Sequence, residues 1–201
     1  MFPLALDLTD RHVVVIGAGH VGVHKARQLL ECGARVTLIS ESVLAPLPTG
    51  LEAFVSRRYE DGDLAGALLA VAATGDARVN DDIVREATQL NILLNVVDDL
   101  DRSNFFFTAV HRDGDVVVSV STGGASPALA QWVRTRVAQA LPTNLAEVAR
   151  QLRSERRAFH ERGESTEGRP WTERVRQLLG HAAGDGIDES VLTRTEVSTE
   201  I

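Results

Sequence analysis

The chain has 201 residues, 44% of them hydrophobic, which is enough to build a core in one large domain or two small ones. Its net charge of −7 argues against a nucleic-acid or anionic-membrane binder, and its single cysteine, Cys32, excludes an internal disulfide and a cysteine-based zinc site. The sequence has neither an apolar run of roughly 20 residues, as a membrane span needs, nor a signal-peptide pattern, so we expect a cytoplasmic protein.

The first half of the chain alternates short apolar runs with helical patterns. The apolar runs predict five strands, at residues 11–16, 35–40, 53–59, 68–74 and 92–97. Apolar residues at helical spacing predict helices at 21–31, ending before Gly33, and at 80–90. Continuous apolar strands separated by helices are typical of a parallel sheet covered on both faces, so we expect an α/β, Rossmann-like fold.

The pattern changes after Asp101. Residues 104–110 and 115–121 predict a hairpin, with His111-Arg112-Asp113-Gly114 as its turn. Three consecutive phenylalanines, at 105–107, place aromatic rings on both faces of the first strand. Since an isolated hairpin cannot bury both faces, we expect a partner surface there.

The last third of the chain is predicted to be helical. Ser126 and Pro127 form a helix start signal, and helical stripes continue to Ala140 and then over 145–159. A polar linker (163–169) precedes a short helix (170–179), and the acidic composition of the last residues predicts a disordered tail. We therefore expect an α/β domain at 1–103, a hairpin with a helix at 104–141, a helical domain at 142–180 and a tail at 181–201.

A glycine-rich loop joins the first strand to the first helix. Gly17, Gly19 and Gly22 form the pattern G-x-G-x-x-G. In a dinucleotide-binding fold the first glycine allows a tight turn, the second lets the backbone approach a pyrophosphate, and the third allows close packing of helix on strand. The helix N-terminus adds N–H donors for the phosphates. The loop predicts dinucleotide binding, with a purely structural turn as the alternative.

Glu41 follows the second predicted strand and bears on the choice of cofactor. An acid at this place accepts hydrogen bonds from a ribose diol and repels a 2′-phosphate. No arginine follows it immediately in the sequence. We therefore favour NAD over NADP, with Glu41 as a solvated loop charge as the alternative.

Asp98 and Asp99 follow the fifth predicted strand. Ligands of an open parallel sheet bind beside such strand ends, where a carboxylate can act as a base near the nicotinamide. The alternative is a helix cap or a turn acid.

A second glycine-containing loop lies between the hairpin and the next helix. Backbone N–H groups at Gly123 and Gly124, together with Thr122 and Ser126, can bind a substrate carboxylate at the helix N-terminus. The alternative is a tight turn with Ser126 as the N-cap, and the two roles are compatible.

Three segments together resemble the siroheme synthase N-terminal family. They are the glycine loop with its helix, the run Asn-Val-Val-Asp-Asp at 95–99, and the run Ser-Thr-Gly-Gly-Ala-Ser-Pro-Ala-Leu-Ala at 121–130. Members of this family are precorrin-2 dehydrogenases, some of which are also sirohydrochlorin ferrochelatases.

The resemblance implies NAD-dependent oxidation of precorrin-2 to sirohydrochlorin by removal of a hydride. It places cofactor contacts at His20, Val21, Glu41 and Ser42, and it implies that Asp98 takes part in proton removal. In bifunctional members the same carboxylate is implicated in insertion of ferrous iron, so iron would enter only as a substrate. The six histidines form no ligand pair in a known short motif, so we expect no fixed structural metal. The family forms homodimers through its middle segment, which accounts for the hairpin.

The substrate implied by the resemblance carries eight carboxylates, which an acidic chain must bind through local positive charge. Residues 150–178 hold eight arginines against five glutamates, and Arg112, Arg134 and Arg136 flank the hairpin and the helix after it. Guanidinium groups bind carboxylates with two parallel hydrogen bonds, so these arginines, Arg112 among them, are candidate substrate ligands. A solvated helix face with Glu–Arg pairs is the alternative.

Two other functions remain open from the sequence. The first is a non-catalytic NAD-sensing module, because Rossmann domains with a helical appendage also serve as ligand sensors. The second is a dehydrogenase for another substrate, because fold alone does not define chemistry. The segments at 95–99 and 121–130 favour the precorrin-2 dehydrogenase, since a sensor needs neither.

Overall fold

A computed structural model describes residues 1–180 of the chain, and the predicted tail at 181–201 lies outside the described residues. The polypeptide divides into two units, Met1–Phe107 and the residues from Thr108 onward. Each of the two units has its own sheet.

The first unit contains a five-stranded sheet in which every neighbouring pair of strands is parallel. The strand order is β3-β2-β1-β4-β5, which is the order of a Rossmann fold. The strands are β1 (His12–Ala18), β2 (Arg35–Val43), β3 (Ala53–Val55), β4 (Leu69–Ala72) and β5 (Leu93–Val96). The helices are α1 (His20–Leu30) and α2 (Ala77–Gln89), so the predicted α/β fold is confirmed.

Both faces of this sheet are buried. Successive residues of a strand point to opposite faces, so Val13 and Val15 of β1 join the apolar cluster that contains the buried residues of α1. Val14 and Ile16 join the cluster that contains Ile83 of α2. Full burial of a valine or isoleucine side chain contributes about 1.5–3 kcal/mol, which explains the continuous apolar runs in the sequence.

The end of the third strand and the start of the second helix are among the predicted boundaries in the first unit that are wrong. The predicted strand 53–59 ends at Val55, because the residues after it turn away from the sheet and Arg57 donates hydrogen bonds to Asp63. Helix α2 begins at Ala77 instead of residue 80, because the Asp76 carboxylate accepts the backbone N–H groups of the first turn and caps the helix.

The second unit combines a hairpin with three helices. Strands β6 (Ala109–Asp113) and β7 (Val116–Val120) are antiparallel. They are followed by α3 (Pro127–Ala140), α4 (Leu145–Glu161) and α5 (Trp171–Gly180). The Ser126 hydroxyl accepts the N–H of Leu129 at 3.2 Å, which confirms the predicted N-cap. Within residues 1–180, none of the helices is both long enough and apolar enough to cross a membrane.

The phenylalanines at 105–107 do not lie in the hairpin, so the predicted strand 104–110 is wrong over its first half. Asn104 exchanges hydrogen bonds with Leu94, and this pairing holds the segment beside β5. Phe105 and Phe107 pack against the apolar cluster of the first sheet, and the Lys25 ammonium lies 3.8 Å above the Phe107 ring. These rings therefore find their apolar partners inside the first unit.

The hairpin is shorter than predicted, and its turn consists of two residues instead of the predicted four. Asp113 pairs with Val116, so Gly114 and Asp115 form the turn, and Gly114 adopts a φ of +58°. One face of the hairpin packs against α3. The other face leaves Val110 and Val117 exposed.

Candidate cofactor and active site

A cleft of about 240 Å³ opens at the carboxyl ends of the central strands of the first sheet. Its lining combines segments that are distant in sequence. They are the glycine loop after β1, the end of β2 with Glu41 and Ser42, and the residues Arg57 to Tyr59 after β3. Thr74 to Asp76, which follow β4, complete the lining.

The three glycines of the loop meet different surroundings. A Cβ at Gly17 would overlap the carbonyl oxygen of Ala73, and the φ of +104° at Gly17 also disfavours any side chain. A Cβ at Gly22 would overlap the carbonyl oxygen of Gly17. At Gly19, by contrast, a Cβ would meet nothing within 4 Å. Gly17 and Gly22 thus permit close packing, while Gly19 leaves open space for a ligand beside the backbone.

The N-terminus of α1 faces this open space with its backbone donors. Gly19 is the N-cap, no side chain caps the helix, and its first turn contains no acid. The N–H groups of His20, Val21 and Gly22 belong to the first turn, where a helix supplies no acceptor of its own. An anion beside Gly19 would receive these donors and the positive end of the helix dipole. The loop therefore fits a pyrophosphate, as predicted from the sequence.

A bulge in β2 carries Glu41 to the rim of the cleft. Ile16 pairs with Ile39 and Ala18 pairs with Val43, so residues 40–42 lie opposite Gly17 alone. The Ser40 hydroxyl donates to the carbonyl oxygen of Ser42 at 2.8 Å and closes the bulge. The strand predicted to end at Ser40 therefore extends to Val43, and the side chain of Glu41 is exposed.

Two arginines at the cleft were missed from the sequence. Arg58 Nε lies 2.7 Å from Glu41 Oε2, while Arg57 donates two hydrogen bonds to the Asp63 carboxylate at 2.8 and 2.6 Å. The Arg57 guanidinium holds the pKa of Asp63 below its usual value. The parallel pairing of β2 with β3 could have revealed both arginines, because residues that follow neighbouring parallel strands reach the same edge of the sheet.

A buried hydrogen bond anchors the segment that contains these arginines. The Tyr59 hydroxyl donates to Glu86 Oε2 of α2, and the N–H of Leu64 donates to Glu86 Oε1 at 3.1 Å. Only 6% of Glu86 is exposed. Burial, together with the hydrogen bond to Glu86, raises the pKa of the Tyr59 hydroxyl. The carboxylate of Glu86 therefore holds the loop after β3 in place beneath the cleft.

The two predicted aspartates after β5 have different surroundings. Asp99 accepts hydrogen bonds from Nε of Arg102 at 2.6 Å and from the Arg102 N–H at 3.1 Å. The Arg102 guanidinium holds the pKa of Asp99 below its usual value. Ser103 donates to the carbonyl oxygen of Asp99 at 2.6 Å. Asp99 is therefore the turn acid of this segment.

Asp98 is exposed and adopts a φ of +61°, a left-handed conformation that only glycine, asparagine and aspartate enter readily. Within residues 1–180 its carboxylate has neither a hydrogen-bond donor nor an ion-pair partner. It lies at the carboxyl end of β5, the neighbour of β4, outside the lining of the cleft itself.

The predicted substrate loop belongs to the second unit. Ser126 N–H donates to Thr122 Oγ1 at 3.2 Å, and Thr122 Oγ1 donates to the Ser126 carbonyl oxygen at 3.1 Å. Gly123 and Gly124 adopt φ values of +64° and +86°. The two hydroxyls therefore shape the loop and cap α3, and Arg112 lies on the exposed face of β6. Their contact with a substrate remains a prediction.

Most arginines between 150 and 178 are neutralised by acids of their own unit. The ion pairs are Arg150–Glu147, Arg153–Asp115, Arg157–Glu161, Arg162–Glu164, Arg169–Glu164, Arg174–Glu155 and Arg176–Glu173. For Arg156 the described residues offer no such partner. Exposed pairs of this kind are weak, so binding of substrate carboxylates by these arginines stays a prediction. Residues 1–180 also contain no cluster of three or more His, Cys, Asp and Glu side chains that could hold a metal ion.

The strand order, the glycine loop and the open cleft beside it define a Rossmann-type dinucleotide-binding domain. Residues 4–109 match a family model for NAD(P)-binding domains, and residues 113–140 match the model described as "Sirohaem biosynthesis protein central". The chain belongs to the siroheme synthase N-terminal family, and its first unit is an NAD(P)-binding domain.

Known proteins resemble the chain over most of its length. Siroheme synthase 2 of Aeromonas hydrophila is 37% identical over 149 residues, which are 73% of this chain and 32% of that protein. The siroheme synthase of Methylococcus capsulatus is 39% identical over 152 residues, 74% of this chain and 32% of that protein. The chain thus spans about a third of the length of these curated relatives.

A solved structure shares the fold. SirC, a precorrin-2 dehydrogenase, superposes with a TM-score of 0.65 and 22% sequence identity. The match covers 92% of this chain and 90% of that chain. The fold therefore extends to the hairpin and the helices that follow it.

Proposed function

We propose that the chain is an NAD-dependent precorrin-2 dehydrogenase, which oxidises precorrin-2 to sirohydrochlorin in siroheme biosynthesis. The observation that supports this proposal most directly is the unpaired carboxylate of Asp98 at the carboxyl end of β5. In the sheet, β5 lies two strands from β1, whose end continues into the glycine loop. The membership of the chain in the siroheme synthase N-terminal family supplies the substrate class.

The reaction requires two transfers from the macrocycle. NAD supplies the acceptor for the hydride when it is bound. Asp98 accepts the proton that the macrocycle must also lose, because its carboxylate is not engaged by a neighbour, whereas Asp99 is held by Arg102. The open space at Gly19 and the donors of α1 would hold the pyrophosphate, and Glu41 would accept hydrogen bonds from the ribose of the adenosine half.

The second unit would bind the carboxylates of the tetrapyrrole. The loop of Thr122, Gly123, Gly124 and Ser126 begins a helix, so its backbone donors suit a carboxylate, and Arg112 of β6 is a guanidinium of the same unit. We include these residues in the proposal as substrate ligands.

Homodimerisation is a further part of the proposal. Val110 and Val117 are exposed on one face of the hairpin, and Leu129 and Trp132 of α3 are 49% and 63% exposed. Apolar groups of this size are typical of surfaces that a partner covers. Sedimentation of the chain measures its mass directly, and a Val117→Asp variant should shift a dimer to monomer without changing the fold. A wild-type chain that sediments as a monomer would contradict this part.

Insertion of ferrous iron into sirohydrochlorin is a second candidate activity. The same unpaired carboxylate of Asp98 favours it, because pyrrole nitrogens must lose their protons as the metal enters. Iron is the substrate of this step. Addition of ferrous iron to sirohydrochlorin, followed by absorbance under anaerobic conditions, tests it separately from the dehydrogenase.

The central test mixes the purified chain with precorrin-2 and NAD under anaerobic conditions and follows NADH. We expect NADH formation by the wild type and its loss by at least about 100-fold in Asp98→Asn, which keeps the size and the left-handed backbone of the residue. Asp101→Asn is the matched control and should retain the wild-type rate. NAD binding without NADH formation would refute the dehydrogenase in favour of a sensing module, and full activity in Asp98→Asn would refute the role of Asp98.

A further inference from the structure

Glu41, the acid expected to select NAD, shares the rim of the cleft with a guanidinium. Arg58 Nε lies 2.7 Å from Glu41 Oε2, and both residues line the cleft. The pair is created by the bulge at 40–42 and by the parallel pairing of β2 with β3. The carboxylate at this rim is therefore compensated by one positive charge.

Arg57, which precedes Arg58, is not available to compensate the charge of Glu41. Arg57 is held by two hydrogen bonds to Asp63, whose side chain is only 11% exposed, and by a third to the carbonyl oxygen of Arg58. The Arg58–Glu41 pair is a single exposed contact, with 68% and 56% of the two side chains accessible. Exposed single pairs are weak, so Arg58 can leave Glu41 at little cost, whereas Arg57 remains fixed.

The two charges of this pair favour different cofactors. A carboxylate accepts hydrogen bonds from the 2′- and 3′-hydroxyls of NAD and repels the 2′-phosphate of NADP. A guanidinium binds a phosphate with charge-assisted hydrogen bonds. When NAD is bound, Arg58 can stay on Glu41. When a 2′-phosphate is present, Arg58 can move to the phosphate and offset its repulsion by Glu41.

We propose that Glu41 and Arg58 together form a selectivity pair that lets the cleft bind both NAD and NADP, with Arg58 as the residue that admits the 2′-phosphate. The inference rests on the nicotinamide dinucleotide of the proposed function and extends it. The preference for NAD is then modest, about tenfold or less in dissociation constant. Glu41 alone would impose a much larger preference.

Calorimetric binding of ADP-ribose and of 2′-phospho-ADP-ribose to the full chain tests this inference without precorrin-2. Arg58→Gln should weaken binding of the 2′-phosphorylated ligand by about tenfold or more, and it should leave ADP-ribose within about twofold. Glu41→Gln should weaken ADP-ribose and strengthen the 2′-phosphorylated ligand, so that the order of the two affinities reverses. High salt should reduce the effect of Arg58.

Arg35 and Glu52 supply matched controls. Arg35 begins β2 and Glu52 directly precedes β3, and the two side chains form an exposed ion pair at 2.6 Å. Neither residue lines the cleft. Arg35→Gln and Glu52→Gln should leave both affinities unchanged.

The inference is overturned if the wild type binds 2′-phospho-ADP-ribose more than about tenfold more weakly than ADP-ribose, or if Arg58→Gln weakens both ligands equally. It is also overturned if neither ligand binds. Binding of both ligands by a chain that forms no NADH from precorrin-2 would refute the proposed function and leave the selectivity pair supported.

Discussion

Replacement of Gly19 by alanine separates ligand binding from folding in the glycine loop. Gly19 has a φ of −74° and a ψ of 176°, which alanine adopts freely, and the added methyl group meets no atom within 4 Å. The cost to folding is the loss of a favourable N-cap, about 1 kcal/mol or less. For a chain of this size that lowers the melting temperature by about 2–4 °C.

The effect of Gly19→Ala on cofactor binding should be much larger than its effect on folding. The methyl group occupies the space through which a pyrophosphate would reach the N-terminus of α1. We expect the dissociation constant of ADP-ribose to rise by about 10- to 100-fold, which corresponds to about 1.4–2.7 kcal/mol. Calorimetric titration measures this directly, and the thermal stabilisation that ADP-ribose gives the wild type should shrink in parallel.

Gly22→Ala is the comparison variant, because a methyl group at Gly22 should affect the stability of the fold and a methyl group at Gly19 should affect cofactor binding. Alanine favours a helix interior by about 1 kcal/mol over glycine, so helix propensity alone predicts a gain in stability. The methyl group would however overlap the carbonyl oxygen of Gly17, and overpacking costs about 1–3 kcal/mol or more. We therefore expect Gly22→Ala to melt below the wild type. Wild-type affinity in Gly19→Ala, or wild-type stability in Gly22→Ala, would refute the roles assigned to these glycines.

Three further predictions concern the residues around the cleft. Arg57 lowers the pKa of Asp63 below its usual 3.8, so the ionised Asp63 stabilises the fold above that pH. Asp63→Asn should therefore lower the melting temperature near neutral pH. The difference in melting temperature between this variant and the wild type should shrink as acid protonates Asp63. Tyr59→Phe removes a donor from the buried Glu86 carboxylate and should cost about 1–3 kcal/mol in urea unfolding, so wild-type stability would contradict the anchoring role. Asp98→Gly removes the side chain that disfavours the left-handed backbone conformation at this position. The free energy of unfolding of this variant should equal that of the wild type or exceed it by up to about 1 kcal/mol, while NADH formation is lost. A clear loss of stability would contradict this expectation.

The outcome for the phenylalanines shows what local pattern can and cannot predict. The run at 105–107 has the composition of a strand, and the hairpin itself was correctly placed near the Asp-Gly pair. Whether Phe105 and Phe107 pack in the hairpin or on the first sheet depends on the hydrogen bonds of Asn104 with Leu94. That pairing joins residues ten positions apart, and local composition does not encode it.

The glycine loop and the aspartate after β5 could be located from sequence, because the roles proposed for them depend on residue type at a particular strand end. Gly17, Gly19 and Gly22 act through the absence of a side chain, and strand periodicity alone places them after β1. The sequence likewise placed Asp98 at the end of a buried strand. The family resemblance singled out Asp98, but local pattern alone could not show that Arg102 engages Asp99 and leaves Asp98 unpaired, since that depends on which of them Arg102 contacts.

The sequence by itself determined the parallel sheet, the glycine loop and the family, because burial periodicity and backbone requirements are encoded locally. Only the tertiary structure decided the partners of the long charged side chains. Arg58 reaches Glu41 across 17 residues because β3 pairs with β2, and Arg174 reaches Glu155 across 19 residues because α5 packs on α4. A flexible charged side chain pairs with whichever opposite charge the tertiary structure brings within its reach. Strand or helix periodicity in the sequence does not encode that pairing.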